Sequence, residues 1–137
     1  MPAAGGTPVQ LTTTGGAHPI TSIDGKTLYY RSDRDAKEIR SIPVNGGRPV
    51  TVAGPTHGWP FSFAVTAEGL FYPAPPHYGK QRFVRFVNFK SGENNPVVVA
   101  TQPFLLGMSV SPDGRYLLFD QLDDKSDLMI IRNFRAP

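Results

Sequence analysis

The three histidines of this chain, His18, His57 and His77, are its best candidates for contact with a ligand. Histidine is the side chain that changes protonation near neutral pH, and its ring also ligates metals. Trp59 and Tyr78 stand beside His57 and His77 in sequence, Arg34 falls on the same loop face in the repeat derived below, and aromatics with a few polar groups are what line ligand pockets. These six residues form the candidate ligand-binding set. A purely structural role fits the same residues, with the Trp59 indole packed between neighbouring units.

Other chemistries lack their residue patterns. No two histidines have the spacing of a zinc site, and no HExxH occurs, so no metal ligand is assigned. The run "DQLDDKSD", with Asp120, Asp123, Asp124 and Asp127, lacks the glycine and closing glutamate of a calcium loop and reads as a solvated hairpin loop. There is no GxSxG elbow, no P-loop and no cysteine. The glycine pairs precede alternating apolar and polar residues rather than a helix, so they cradle no phosphate. The expectation is a binding protein without catalytic residues and without a cofactor.

The elements that must position this set come from a repeat. "GGTPVQLT" at Gly5 and "GGRPVTVA" at Gly46 are one phrase written twice. "SIDGKTLYY", "TAEGLFY" and "SPDGRYLLF" are three turn signals, with Gly25, Gly69 and Gly114 spaced 44 and then 45 residues apart. In each a hydroxyl residue opens the turn, an acid precedes the glycine and an apolar-aromatic run follows. Such a glycine is expected to take φ > 0, which costs it no steric energy. Val44, Phe89 and Phe134 keep a beat of 45, as do Gly47 and Gly92.

Each unit divides into short extended runs. The first gives "PITSI", "TLYYRS", "EIRSIPV" and "RPVTVA". The second gives "FSFAV", "GLFYP", "RFVRFVNF" and "NPVVVA", and the third "GMSVS", "RYLLFDQ" and "SDLMIIRNF". Period-two alternation with turn residues every 8–12 positions predicts an all-β fold. Four strands in about 45 residues, repeated, predict β-propeller blades. The chain then holds an outer strand at 5–13, blades at 18–53 and 58–101, and a blade at 104–135 that lacks its fourth strand. Val9 and Leu11 match Val50 and Val52, so the first phrase is the missing outer strand of a last blade.

On these residues the chain resembles the TolB-type β-propeller repeat, as found in the C-terminal propellers of bacterial multidomain regulators and kinases. "SPDGRYLLF" and "SIDGKTLYYRSDRD" carry the resemblance, with "IPVNGGRPVTV" and the run from Ser109 to Arg135. The middle unit departs from it, because "TAEG" stands where the family has "SPDG". The resemblance implies six blades and an interaction or sensing module that binds a protein or ligand on its loop face. An enzyme on the same scaffold, lactonase-like or glycan-active with a metal in the channel, is the alternative. A structural, self-assembling propeller fragment, excised from a larger protein or designed, is another.

Three blades are too few to close a ring, and the expected partner is a second copy. Val9 and Leu11 of each chain would complete the other's last blade beside Leu128 and Ile130, giving a six-bladed homodimer, with a nine-bladed trimer as the variant. Glycine and proline each occur 14 times in 137 residues, which suits many tight turns and few helices. The net charge of +3 is scattered, so no nucleic-acid partner is expected. No apolar run approaches 18 residues, and "MPAAGG" has no signal-peptide pattern. The compartment stays open, with an extracytoplasmic parent protein one option.

Overall fold

The computed structural model describes residues 5–32, 38–56, 63–75, 81–100, 104–111 and 113–121. All regular structure among them is β. The first sheet is built from β1 (Ala17–Thr21), β2 (Thr27–Arg31), β3 (Ile39–Pro43) and β4 (Val50–Ala53). The second is built from β5 (Ala64–Val65), β6 (Gly69–Ala74), β7 (Arg82–Asn88) and β8 (Asn94–Ala100). A hairpin of β9 (Phe104–Val110) and β10 (Leu117–Gln121) follows. Each sheet is an antiparallel meander in sequence order.

The turn chemistry expected from the sequence sets the first hairpins. Ser22 Oγ donates to Asp24 Oδ1 at 2.6 Å and accepts from the Thr27 N–H at 2.9 Å, while the Lys26 N–H donates to the same carboxylate oxygen. Ser111, Asp113, Arg115 and Tyr116 repeat these three bonds in the hairpin. In both turns the serine hydroxyl, then the backbone N–H, holds the aspartate below the usual carboxylate pKa. Gly25 and Gly114 both take φ +69°, as expected.

The middle turn departs from that expectation. Thr66 plays the serine's part, since its hydroxyl accepts from the N–H groups of Glu68 and Gly69. Thr66 N–H reaches Gly69 O, however, where Ser22 N–H reaches Thr27 O. Gly69 therefore opens β6, as Thr27 opens β2, and its φ is not positive. The reason for a glycine here is close approach. A Cβ on Gly69 would lie 2.1 Å from the Val87 carbonyl oxygen and 2.5 Å from the Phe86 ring. The beat of 45 does hold at Val44 and Phe89, whose N–H groups bond the carbonyls of Lys26 and Glu68, the residues just before β2 and β6. Phe134 lies outside the described residues.

The core lies between the two four-stranded sheets. Tyr29, Ile39 and Ala53 come from the first, and Phe63, Leu70, Tyr72, Ala74 and Val87 from the second and its approach. Pairings of Leu70 with Val87, Tyr72 with Arg85 and Ala74 with Phe83 put these residues on one face of the second sheet. Tyr29 stacks on Phe89 at 5.1 Å, nearly parallel. The first strands also touch in sequence: β1 meets β5, and β5 meets β9. The expected first strand "FSFAV" contributes buried Phe63, with β5 itself reduced to Ala64–Val65, and Phe61 outside the described residues.

The two kinds of glycine separate by experiment. Gly69→Ala is expected to lower stability by about 2–3 kcal/mol, because a backbone carbonyl cannot yield as a side chain would. Gly114→Ala faces open space and is expected to lose about 1 kcal/mol from backbone strain alone. Denaturant unfolding of both variants checks this, and equal losses would contradict the steric reading of Gly69.

Candidate functional site

Ala17 pairs with Arg31, Arg31 with Ile39, and Ile39 with Ala53, so these four residues mark one end of the first sheet. Ala74, Phe83 and Val99 mark the equivalent end of the second. From these ends the chain leaves toward 33–37, 57–62 and 76–80. Arg34, His57, Trp59, His77 and Tyr78 all fall in those stretches, outside the described residues.

His18 is described, and it sits inside β1 rather than before it. The register of β1 against β2 gains one residue between Ala17 and Ile20, a β-bulge. His18 occupies that bulge at φ +52°, a conformation few non-glycine residues adopt. The bulge turns its ring edge-on to Phe63, centroid to centroid 5.2 Å. Partial burial, and then the charge of Arg31, hold the imidazole below its ordinary pKa of 6.5. Arg31 itself is only 4% exposed. A neutral imidazole backed by an aromatic ring and flanked by a guanidinium can orient a polar ligand through hydrogen bonds. At neutral pH it is poorly placed to act as an acid.

A cleft of about 560 Å³ opens over the outer part of the interface between the sheets. Pro55, Tyr72, Phe83, Arg85, Asn94 and Pro96 line it. Arg85 Nε donates to Asn94 Oδ1 at 2.8 Å, and its Nη2 donates to the Asn94 carbonyl. Asn94 Nδ2 in turn donates to the Tyr72 hydroxyl at 2.8 Å. The sequence-based set contains none of these residues. The signal was available in "RFVRFVNF": Arg85 interrupts the face shared by Phe83 and Val87, and an arginine at a core-facing position needs a polar reason.

Of the expected assembly residues, Val9 is 77% exposed, and Leu11 is half-buried in a recess beside Leu28 and Tyr30. Residues 5–16 form no strand. Leu128 and Ile130 lie outside the described residues, as do Asp123, Asp124 and Asp127. Asp120 accepts from the Gly107 N–H across the β9–β10 hairpin. No group of three or more metal-ligating side chains occurs among the described residues, and no helix there is long and apolar enough to cross a membrane.

No family model matches the chain, and no curated protein matches it in sequence.

His18 gives a pH test. Its folded pKa lies below its unfolded value, so the unfolded chain binds the proton more readily. Stability is therefore retained above about pH 6.5 and lost as the pH falls through the folded pKa. His18→Asn keeps a residue that tolerates positive φ and removes the titration. Urea midpoints at pH 7.5 and pH 5 are expected to fall less for the variant than for the parent. Identical falls would mean that His18 does not contribute.

Proposed function

We propose that the chain is a run of β-propeller blades of the TolB-type repeat and serves as a non-enzymatic interaction module. It pairs with a second copy and takes a protein or small ligand at the sheet end that holds His18. The observation that carries this reading is the position of the N-terminal phrase. Leu11 lies beside Leu28 and Tyr30 of the first sheet. Gly54 and Pro55, which follow β4, lie beside Tyr72 and Ala74 of the second. Tyr30 corresponds to Tyr72, because Thr27 and Gly69 open their strands alike. The first phrase thus stands toward the first sheet as the outer strand of one sheet stands toward the next.

Two further observations support it. The first strands of successive sheets adjoin one another, as strands around a central axis do. Residues 5–13 also alternate like an outer strand yet have no sheet partner among the described residues, and a strand without an edge to join is marginal in water. Pairing with another copy's third sheet gives that segment an edge. Two copies of a three-sheet array make six blades, within the range at which propellers close.

Light scattering at micromolar concentration is expected to give twice 15.0 kDa. Leu11→Asp puts a charge into the half-buried recess and is expected to shift the population to monomer and to lower the unfolding midpoint, because folding and association are linked. A stable, folded monomer of the parent chain would refute the pairing.

A further inference from the structure

We infer that the cleft between the two four-stranded sheets is a binding site for a small carboxylic acid with an aromatic or other apolar body. The cleft is formed within one chain, so the inference does not depend on the pairing of copies.

Size comes first. About 560 Å³ falls within the range of sites that enclose small organic molecules. The lining then divides by chemistry. Tyr72 and Phe83 present rings, and Pro55 and Pro96 present rigid apolar edges. These surfaces suit an apolar body and lose little entropy on binding it.

The charge is supplied by Arg85. Its guanidinium is a planar fork of N–H donors with no acceptor atom. Nε and one Nη2 hydrogen are committed to Asn94, which fixes the plane of the group, and Asn94 is itself tied to the Tyr72 hydroxyl. The remaining Nη hydrogens have no hydrogen-bond acceptor among the described residues, and Arg85 has no ion pair there. No aspartate or glutamate belongs to the described lining. A fixed, half-buried planar cation with an uncommitted edge matches the two oxygens of a carboxylate. A single cation in apolar surroundings favours a monoanion with an apolar body over a dianion such as phosphate, whose second charge would enter the cleft unpaired.

Nuclear magnetic resonance on the ¹⁵N-labelled full chain tests this with 3-phenylpropionate as the probe. The Arg85 Nε–H and Asn94 side-chain amide signals are expected to shift together and saturate below about 10 mM. The uncharged 3-phenylpropanol and inorganic phosphate are each expected to bind about tenfold more weakly or worse. Arg85→Gln should bring the acid down to the level of the alcohol, and Arg85→Lys should recover only part of the difference, because an ammonium lacks the fork. Equal binding of acid and alcohol by the parent chain would overturn the carboxylate assignment. No shift at Arg85 and Asn94 would overturn the site. Both of these outcomes are read on the parent chain, so they hold even where a variant fails to fold.

Discussion

The packing of one four-stranded sheet onto the next is the contact on which the rest of the molecule depends. A sheet has two faces and cannot cover either by itself, and among the described residues no helix lies on one. Tyr29, Ile39 and Ala53 therefore meet Phe63, Leu70, Tyr72 and Val87 directly. Twisted sheets packed this way stay close along one edge and diverge along the other. Here β1 and β5 touch, while the cleft at Arg85 is lined by β6, β7, β8 and the segment after β4. The core and the cleft are the two ends of a single interface. Tyr72 belongs to both: its ring is in the core and its hydroxyl accepts from Asn94.

The same interface explains what could be read from the chain and what could not. The serine–aspartate turns were legible because every bond in them joins residues within five positions. The all-β class was legible because alternation is also local. Gly69 misled because its local spelling matches a turn glycine, whereas its cause lies in the Val87 carbonyl and the Phe86 ring on the neighbouring strand. The bulge at His18 is a property of two strands in register, and no single run of residues encodes it. Residues 5–13 show the reverse case. Their alternation is that of a strand, but a strand exists only when paired, and these residues pair with none of the described sheets.

The candidate site was legible only in part, for a related reason. Histidine and tryptophan draw attention by type, and of that set the described residues place His18, beside Phe63 and Arg31. Arg85 and Asn94 are ordinary surface residue types; alternation within one run marks Arg85, and only the pairing register brings in Asn94. Arg85 falls opposite Tyr72 on the face that packs against the first sheet. Folding an arginine there requires that its donors be met, and Asn94 meets two of them from the adjacent strand. The polar chain from Tyr72 through Asn94 to Arg85 is therefore a condition of the fold before it is a feature of any site. That is also why its geometry is fixed in advance of a ligand.

The two ends of the sheet array are not alike, and this constrains how it can associate. At the first sheet, the Gly16 backbone lies against the Tyr30 ring, Leu11 fills part of the recess beside it, and Tyr30 is nearly buried. At the hairpin, Tyr116 and Leu118 remain about two-thirds exposed. A surface that carries its own cover cannot meet an identical surface by simple two-fold matching. It can meet the other end of a neighbouring copy, which is a head-to-tail contact. Contacts of that kind either close into a ring or run on into a filament, and the rotation between successive sheets decides which. In this chain the first two sheets meet through aromatic rings, the stacked pair of Tyr29 and Phe89 and the Phe63 ring edge-on to His18, so the contact between successive sheets is made by rigid side chains.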